Sequence, residues 1–126
     1  TEAEWEKACR GDDKRKWAFG NTFNTKSTNT LEQKLNWSST IGSFPEDVSP
    51  YGMLDMTGNV MEWTDSWYLP YPGSELSSKA FGRKHKVVRG GSWLTDSQIG
   101  RCSSRTHVPP AKKHRAIGFR CAKDIR

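Results

Sequence analysis

Hydrophobic periodicity is strongest at the start of the chain. Thr1-Glu2-Ala3-Glu4 has the form of a capping box, with Thr1 as N-cap and Glu4 three positions on. Trp5, Ala8 and Cys9 then fall at i, i+3 and i+4, which lays one apolar stripe along a short helix. Gly11 stops it in the usual C-terminal glycine role. From Asp12 to Ser39 polar residues dominate without a sustained period, and Trp17, Phe19 and Trp37 interrupt them. That pattern predicts an ordered loop with aromatic anchors, since flexible linkers are poor in aromatics. Pro50-Tyr51-Gly52 predicts a turn, and Met53, Leu54 and Met56 a short helical turn after it. Between Val60 and Tyr68 the apolar positions fit a strand or an irregular core segment equally well. Leu69 to Gly82 is rich in Pro, Gly and Ser and predicts a loop. Lys86–Arg89 predicts a short strand, stopped by Gly90-Gly91 and resumed at Ser92-Trp93. Further strands are expected over Ile99–Arg105 and Ile117–Ala122. One N-terminal helix, several short strands and long structured loops give an α+β class.

Composition sharpens this picture. Hydrophobic residues make up only 33% of the 126, yet six are Trp, so the core must rest on a few large side chains. No apolar run reaches the roughly 18–20 residues that span a membrane. Thr1 falls directly on a helix cap, which reads as a cut boundary, so the lack of a signal peptide carries no weight. The formal charge is +6, and the one basic cluster is Lys112, Lys113, His114 and Arg115. Without a stacking-aromatic motif beside it, the cluster reads as a solvated loop, and no nucleic-acid partner is expected. His85, His107 and His114 show no paired-ligand spacing.

Three cysteines, Cys9, Cys102 and Cys121, form no C-x-x-C motif, which argues against a zinc site or a thioredoxin-like motif. Their odd number fits one disulfide plus one free thiol, or a thiol whose partner lies elsewhere.

Five segments taken in order carry a family resemblance. They are Thr1 to Gly11 (Thr-Glu-Ala-Glu-Trp-Glu-Lys-Ala-Cys-Arg-Gly), Gly42 to Pro45 (Gly-Ser-Phe-Pro), and Tyr51 to Trp63 (Tyr-Gly-Met-Leu-Asp-Met-Thr-Gly-Asn-Val-Met-Glu-Trp). The others are Val88 to Trp93 (Val-Arg-Gly-Gly-Ser-Trp), and Arg101 to Arg105 together with Gly118 to Cys121 (Gly-Phe-Arg-Cys). Together they resemble the sulfatase-modifying-factor family, whose best-known member is the formylglycine-generating enzyme. The resemblance implies a C-type-lectin-like variant with little regular secondary structure, a twisted antiparallel sheet and extended loops. It also implies that residues 1–126 form a single domain lacking the N-terminal portion usual in the family.

The same resemblance implies a disulfide between Cys9 and Cys121, and with it an oxidising, extracytoplasmic compartment. The enzyme uses two cysteines and copper in the stretch that corresponds to Trp93–Arg101. That stretch contains no cysteine here, so copper chemistry is not expected and no catalytic residue is assigned. Met61 stands where the enzyme carries Trp, and Ser92, which is retained, also makes sense as a turn residue. A family calcium site maps onto Asp55, Gly58, Val60 and Glu62, whose carboxylates and carbonyls are hard oxygen donors. A second would use Asn29 and Thr30. Loops Thr95–Gly100 and Thr106–Arg115 match the region where the enzyme binds peptide, which makes Asp96, His107 and Lys112 candidate contacts for a protein partner. A non-catalytic interaction module within an exported protein or complex is the first expectation. A metal-dependent oxidase with catalytic groups outside the chain, by formylglycine generation or non-haem iron sulfoxide synthesis, is the alternative.

Overall fold

A computed structural model describes residues 1–125. Helix α1 spans Glu2–Arg10. Thr1 caps it by accepting from the Glu4 amide, the Glu4 carboxylate returns to the Thr1 backbone, and Gly11 leaves the helix at φ 64°. Its apolar stripe buries Trp5 and Cys9 against Ala18, Met56 and Cys102. The long loop after it is ordered, as the aromatic spacing predicts. It contains two short 3-10 turns, Thr25–Ser27 and Leu31–Gln33, and its residues Ser27 to Thr30 are buried.

Four strands form one sheet: β1 (Met61–Trp67), β2 (Lys86–Arg89), β3 (Thr106–Val108) and β4 (Ile117–Gly118). Their order is β3-β2-β1-β4. β1 pairs antiparallel with β2, and β2 with β3, but β1 and β4 run parallel. The sheet is therefore mixed where an antiparallel one was expected. Three local expectations fail as well. Ile99–Arg105 is a series of turns, with the strand beginning only at Thr106, and Ser92-Trp93 opens a turn instead of resuming β2. Met53–Met56 forms no helical turn, because Leu54 makes an isolated antiparallel bridge to Val48.

So small an apolar core leaves much of the interior to polar groups. Arg89, 1% exposed, is the largest fully buried side chain. Its guanidinium donates to the carbonyls of Cys102 and Ser104, to the carboxylates of Glu2 and Glu6, and to the Tyr71 hydroxyl. Arg105 also binds both oxygens of Glu2. Helix, strand β2 and the 101–105 turns are thus tied through one network. Removing one member would strand a buried charge, at a cost of about 3–5 kcal/mol. Asp47 has a similar role elsewhere, accepting from the Thr28 hydroxyl and from the amides of Thr57 and Gly58. Backbones pass very close here: a Cβ on Gly91 would lie 2.6 Å from the Thr57 carbonyl oxygen.

The disulfide differs from the one the resemblance implies. Cys9 is bonded to Cys102, with Cα atoms 5.6 Å apart and a separation of 93 positions in sequence. Cys121 is a free, exposed thiol. The apolar stripe of α1 aims Cys9 into the core, where Arg89 and the Lys16 carbonyl hold the Cys102 backbone. Cys121 instead borders a surface cavity beside Thr1, Glu4, Trp5 and Ala8 on the helix.

Candidate functional site: cation-binding loops and an exposed aromatic surface

Asp55, Val60 and Glu62 line one cavity of about 300 Å³, together with Ile41, Leu54, Phe119 and Arg120. Asp55 sits at φ 57°, and its carboxylate accepts the Gly42 amide at 2.7 Å. Glu62, on the buried face of β1, accepts from the Trp5 indole at 2.7 Å and from Arg120 at 2.6 and 2.7 Å. Among the described residues no turn or side-chain hydrogen bond uses the carbonyl of Gly58 or Val60. Two carboxylates and the Val60 carbonyl are hard oxygen donors, but Gly58 does not line this cavity, and Arg120 already neutralises Glu62, which weakens the field a cation would meet. Arg120 belongs to the Gly118–Cys121 motif but has no site role in the sequence reading. It lies 58 positions from Glu62, and only the parallel β1–β4 pairing brings the two together.

Asn29 and Thr30 are buried in the first loop and do not line this cavity. The Asn29 amide nitrogen donates to the Trp37 carbonyl, while its Oδ1 has no hydrogen-bond partner; the Thr30 hydroxyl interacts with the Glu32 carboxylate and, against the raising effect of burial, helps lower its pKa. An unpaired buried oxygen costs about 1–3 kcal/mol, and an oxygen-seeking cation would remove that cost. Among the described residues, no three His, Cys, Asp or Glu side chains converge as a metal cluster, so either site would lean on backbone and amide oxygens.

The stretch between Gly91 and Cys102 is a chain of turns. Ser92 is buried, its hydroxyl accepts the Leu94 amide and its own amide donates to Thr95 Oγ1, which is the turn role its sequence context suggests. Met61 is half-buried, with its amide bonded to the Ala116 carbonyl.

The three predicted contact residues have different local settings. Asp96 caps its own turn by accepting the amides of Gln98 and Ile99. That turn packs on the first loop through Leu31, Glu32 and Trp17. His107 lies on edge strand β3, its ring stacked on Tyr68 at 4.4 Å. Burial lowers its pKa from 6.5, and neighbouring His85 lowers it further. Lys112 is exposed in a turn closed on the Pro109 carbonyl.

A different group does converge. Trp37, 57% exposed, stacks on buried Trp93 at 5.9 Å. The Arg115 guanidinium lies 5.3 and 5.4 Å from the two ring centres. Leu31, Leu35 and Leu94 are also exposed, on the segments that carry these aromatics. No aromatic adjoins the basic cluster in sequence, but the fold supplies two from positions 22 and 78 residues away. The 109–115 loop is exposed throughout and anchored at its end by this contact, worth about 0.5–1 kcal/mol per exposed cation–π pair.

Comparison with known proteins places these features. Hercynine oxygenase of Mycobacterium tuberculosis is 34% identical over 135 residues, covering 99% of this chain and 32% of its own length. Formylglycine-generating enzyme of Bos taurus is 31% identical, with 98% and 38% covered. Inactive C-alpha-formylglycine-generating enzyme 2 of Mus musculus is 33% identical, with 97% and 41% covered. The chain thus spans roughly a third to two fifths of these relatives. Among solved structures, Treponema denticola variable protein 1 superposes with a TM-score of 0.81 at 25% identity, covering 94% of this chain and 44% of that one. The family model described as the sulfatase-modifying factor enzyme 1-like domain matches residues 1–125, and the chain belongs to that family.

Proposed function

We propose that this chain is a non-catalytic interaction scaffold of an exported protein or complex, with calcium as a structural ion. The fate of its three sulfurs carries the reading. Cys9 and Cys102 are consumed in a buried disulfide, and Cys121 stands alone on the surface. A copper centre of the family type needs two thiolates side by side, and this chain leaves none to pair with Cys121. A buried disulfide also suits an oxidising compartment. One similar relative carries the word inactive in its name, so loss of chemistry on this fold has a parallel.

Partner contact falls to the Trp37–Trp93–Arg115 surface with the 109–115 loop beside it. Exposed Trp and Arg over a buried aromatic is a composition enriched at binding hot spots. His107 sits on edge strand β3, and Asp96 lies two residues beyond Leu94 in the turn that packs on Leu31. Calcium at Asp55, Gly58, Val60 and Glu62, and at Asn29 and Thr30, would stiffen the loops beneath that surface.

Metal analysis and oxygen uptake test the reading together. The expected results are calcium retention, a thermal midpoint raised by millimolar calcium, and no oxygen uptake with a cysteine peptide and copper(I). Stoichiometric copper held by sulfur, with sustained uptake, would overturn it. The 34% identity to hercynine oxygenase favours a second reading, in which catalytic groups outside this chain complete an oxidase. Oxygen uptake only when the chain is joined to such a segment would select it.

A further inference from the structure

His85 and His107, separated by 22 positions, meet at the outer edge of the sheet. β2 and β3 pair antiparallel with Val87 opposite His107. His85 lies two residues before Val87 and so points to the same face, as a diagonal neighbour of His107. Their ring centres are 4.9 Å apart in an edge-to-face arrangement.

Both rings are held. Tyr68 stacks on His107 at 4.4 Å and is itself packed on Phe81 at 4.9 Å. His85 Nδ1 lies 3.2 Å from the Ala80 carbonyl oxygen. A carbonyl only accepts, so Nδ1 carries the proton and Nε2 keeps its lone pair. A backbone carbonyl behind the far nitrogen is the usual support of a metal-ligating imidazole. The nearby positive charge of Arg105, which lies over Tyr68, is balanced by its ion pair to Glu2. His107 is exposed on an edge strand, so the pair is open to solvent.

We propose that His85 and His107 form a two-imidazole site for a borderline divalent transition ion of the copper(II), nickel(II) or zinc class. The remaining coordination positions go to water or to a donor from a docked molecule. This site is separate from the oxygen-lined calcium loops and requires no thiolate. Imidazole nitrogen suits these ions, whereas calcium prefers oxygen.

The test uses the whole chain with Cys121→Ser, which removes the free thiol as a competing ligand. One copper(II) per chain is expected, with an electron paramagnetic resonance pattern of two imidazole nitrogens. His85→Gln and His107→Gln should each weaken nickel(II) binding by about tenfold or more, while His114→Gln leaves it unchanged. Fewer than two nitrogens in the unsubstituted site would overturn the proposal without any variant having to fold. So would unchanged nickel affinity in the double His85→Gln, His107→Gln chain.

Discussion

Two regions of this molecule, about equally polar in sequence, are built by opposite means. Around Asp47, Thr57 and Arg89, polar side chains are buried and each meets several fixed partners. From Pro109 to Arg115 every residue is exposed, and the contact of Arg115 with two indoles anchors the end of the loop. The first region derives its order from the cost of leaving buried groups unpaired, so its residues are not independently replaceable. The second has little to lose, so its side chains can be replaced at small cost to the fold.

The disulfide offers the sharpest way to break the first region. Cys9→Ala or Cys102→Ala should cost about 2–5 kcal/mol, seen in denaturant unfolding, whereas Cys121→Ser should leave stability unchanged. Equal losses from Cys121→Ser would mean that the bridge is drawn between the wrong sulfurs.

Asp47 gives a smaller, pH-dependent handle. Burial raises its pKa from 3.8 to about 6, against the opposing pull of its bonds to Thr28, Thr57 and Gly58. A folded pKa above the unfolded one means that the native state binds the proton more tightly between those values. Stability from this group therefore rises as pH falls from 7 through 6 and flattens near 4, by about 2–3 kcal/mol in all. Comparing wild type with Asp47→Asn across that window isolates the effect. A difference between the two that does not vary with pH would show that Asp47 stays ionised.

The smallest effect belongs to the second region. Lys112→Ala and Lys113→Ala should move stability by no more than about 0.5 kcal/mol. A larger change in thermal unfolding would mean that the loop is part of the framework after all.

Legibility in the sequence followed locality. The Thr1 cap, the Trp5-Ala8-Cys9 stripe and the Gly11 stop are contacts within a few residues, and all are present. Strand β2 was legible because Val87 and Val88 are flanked by a clear stop. Strand β3 was missed because Thr-His-Val is too short to set up a period, and β4 covers only Ile117–Gly118 of the expected Ile117–Ala122. At the candidate sites, Asp55, Val60 and Glu62 were named from motif likeness and do share a cavity. Arg120, the Trp37–Trp93–Arg115 group and the His85–His107 pair were not found, since no local spacing marks them.

The amino-acid order by itself determined the family, the N-terminal helix, the loop-rich class and the lack of any cysteine between Trp93 and Arg101. Each of these depends on residue identity or on neighbours in the chain. Only the tertiary structure decided which sulfurs bond, that β4 runs parallel to β1, and which distant side chains share a surface. Those outcomes turn on where the apolar stripe of α1 points and on which buried polar groups can satisfy one another, and neither is a property of any local stretch of sequence.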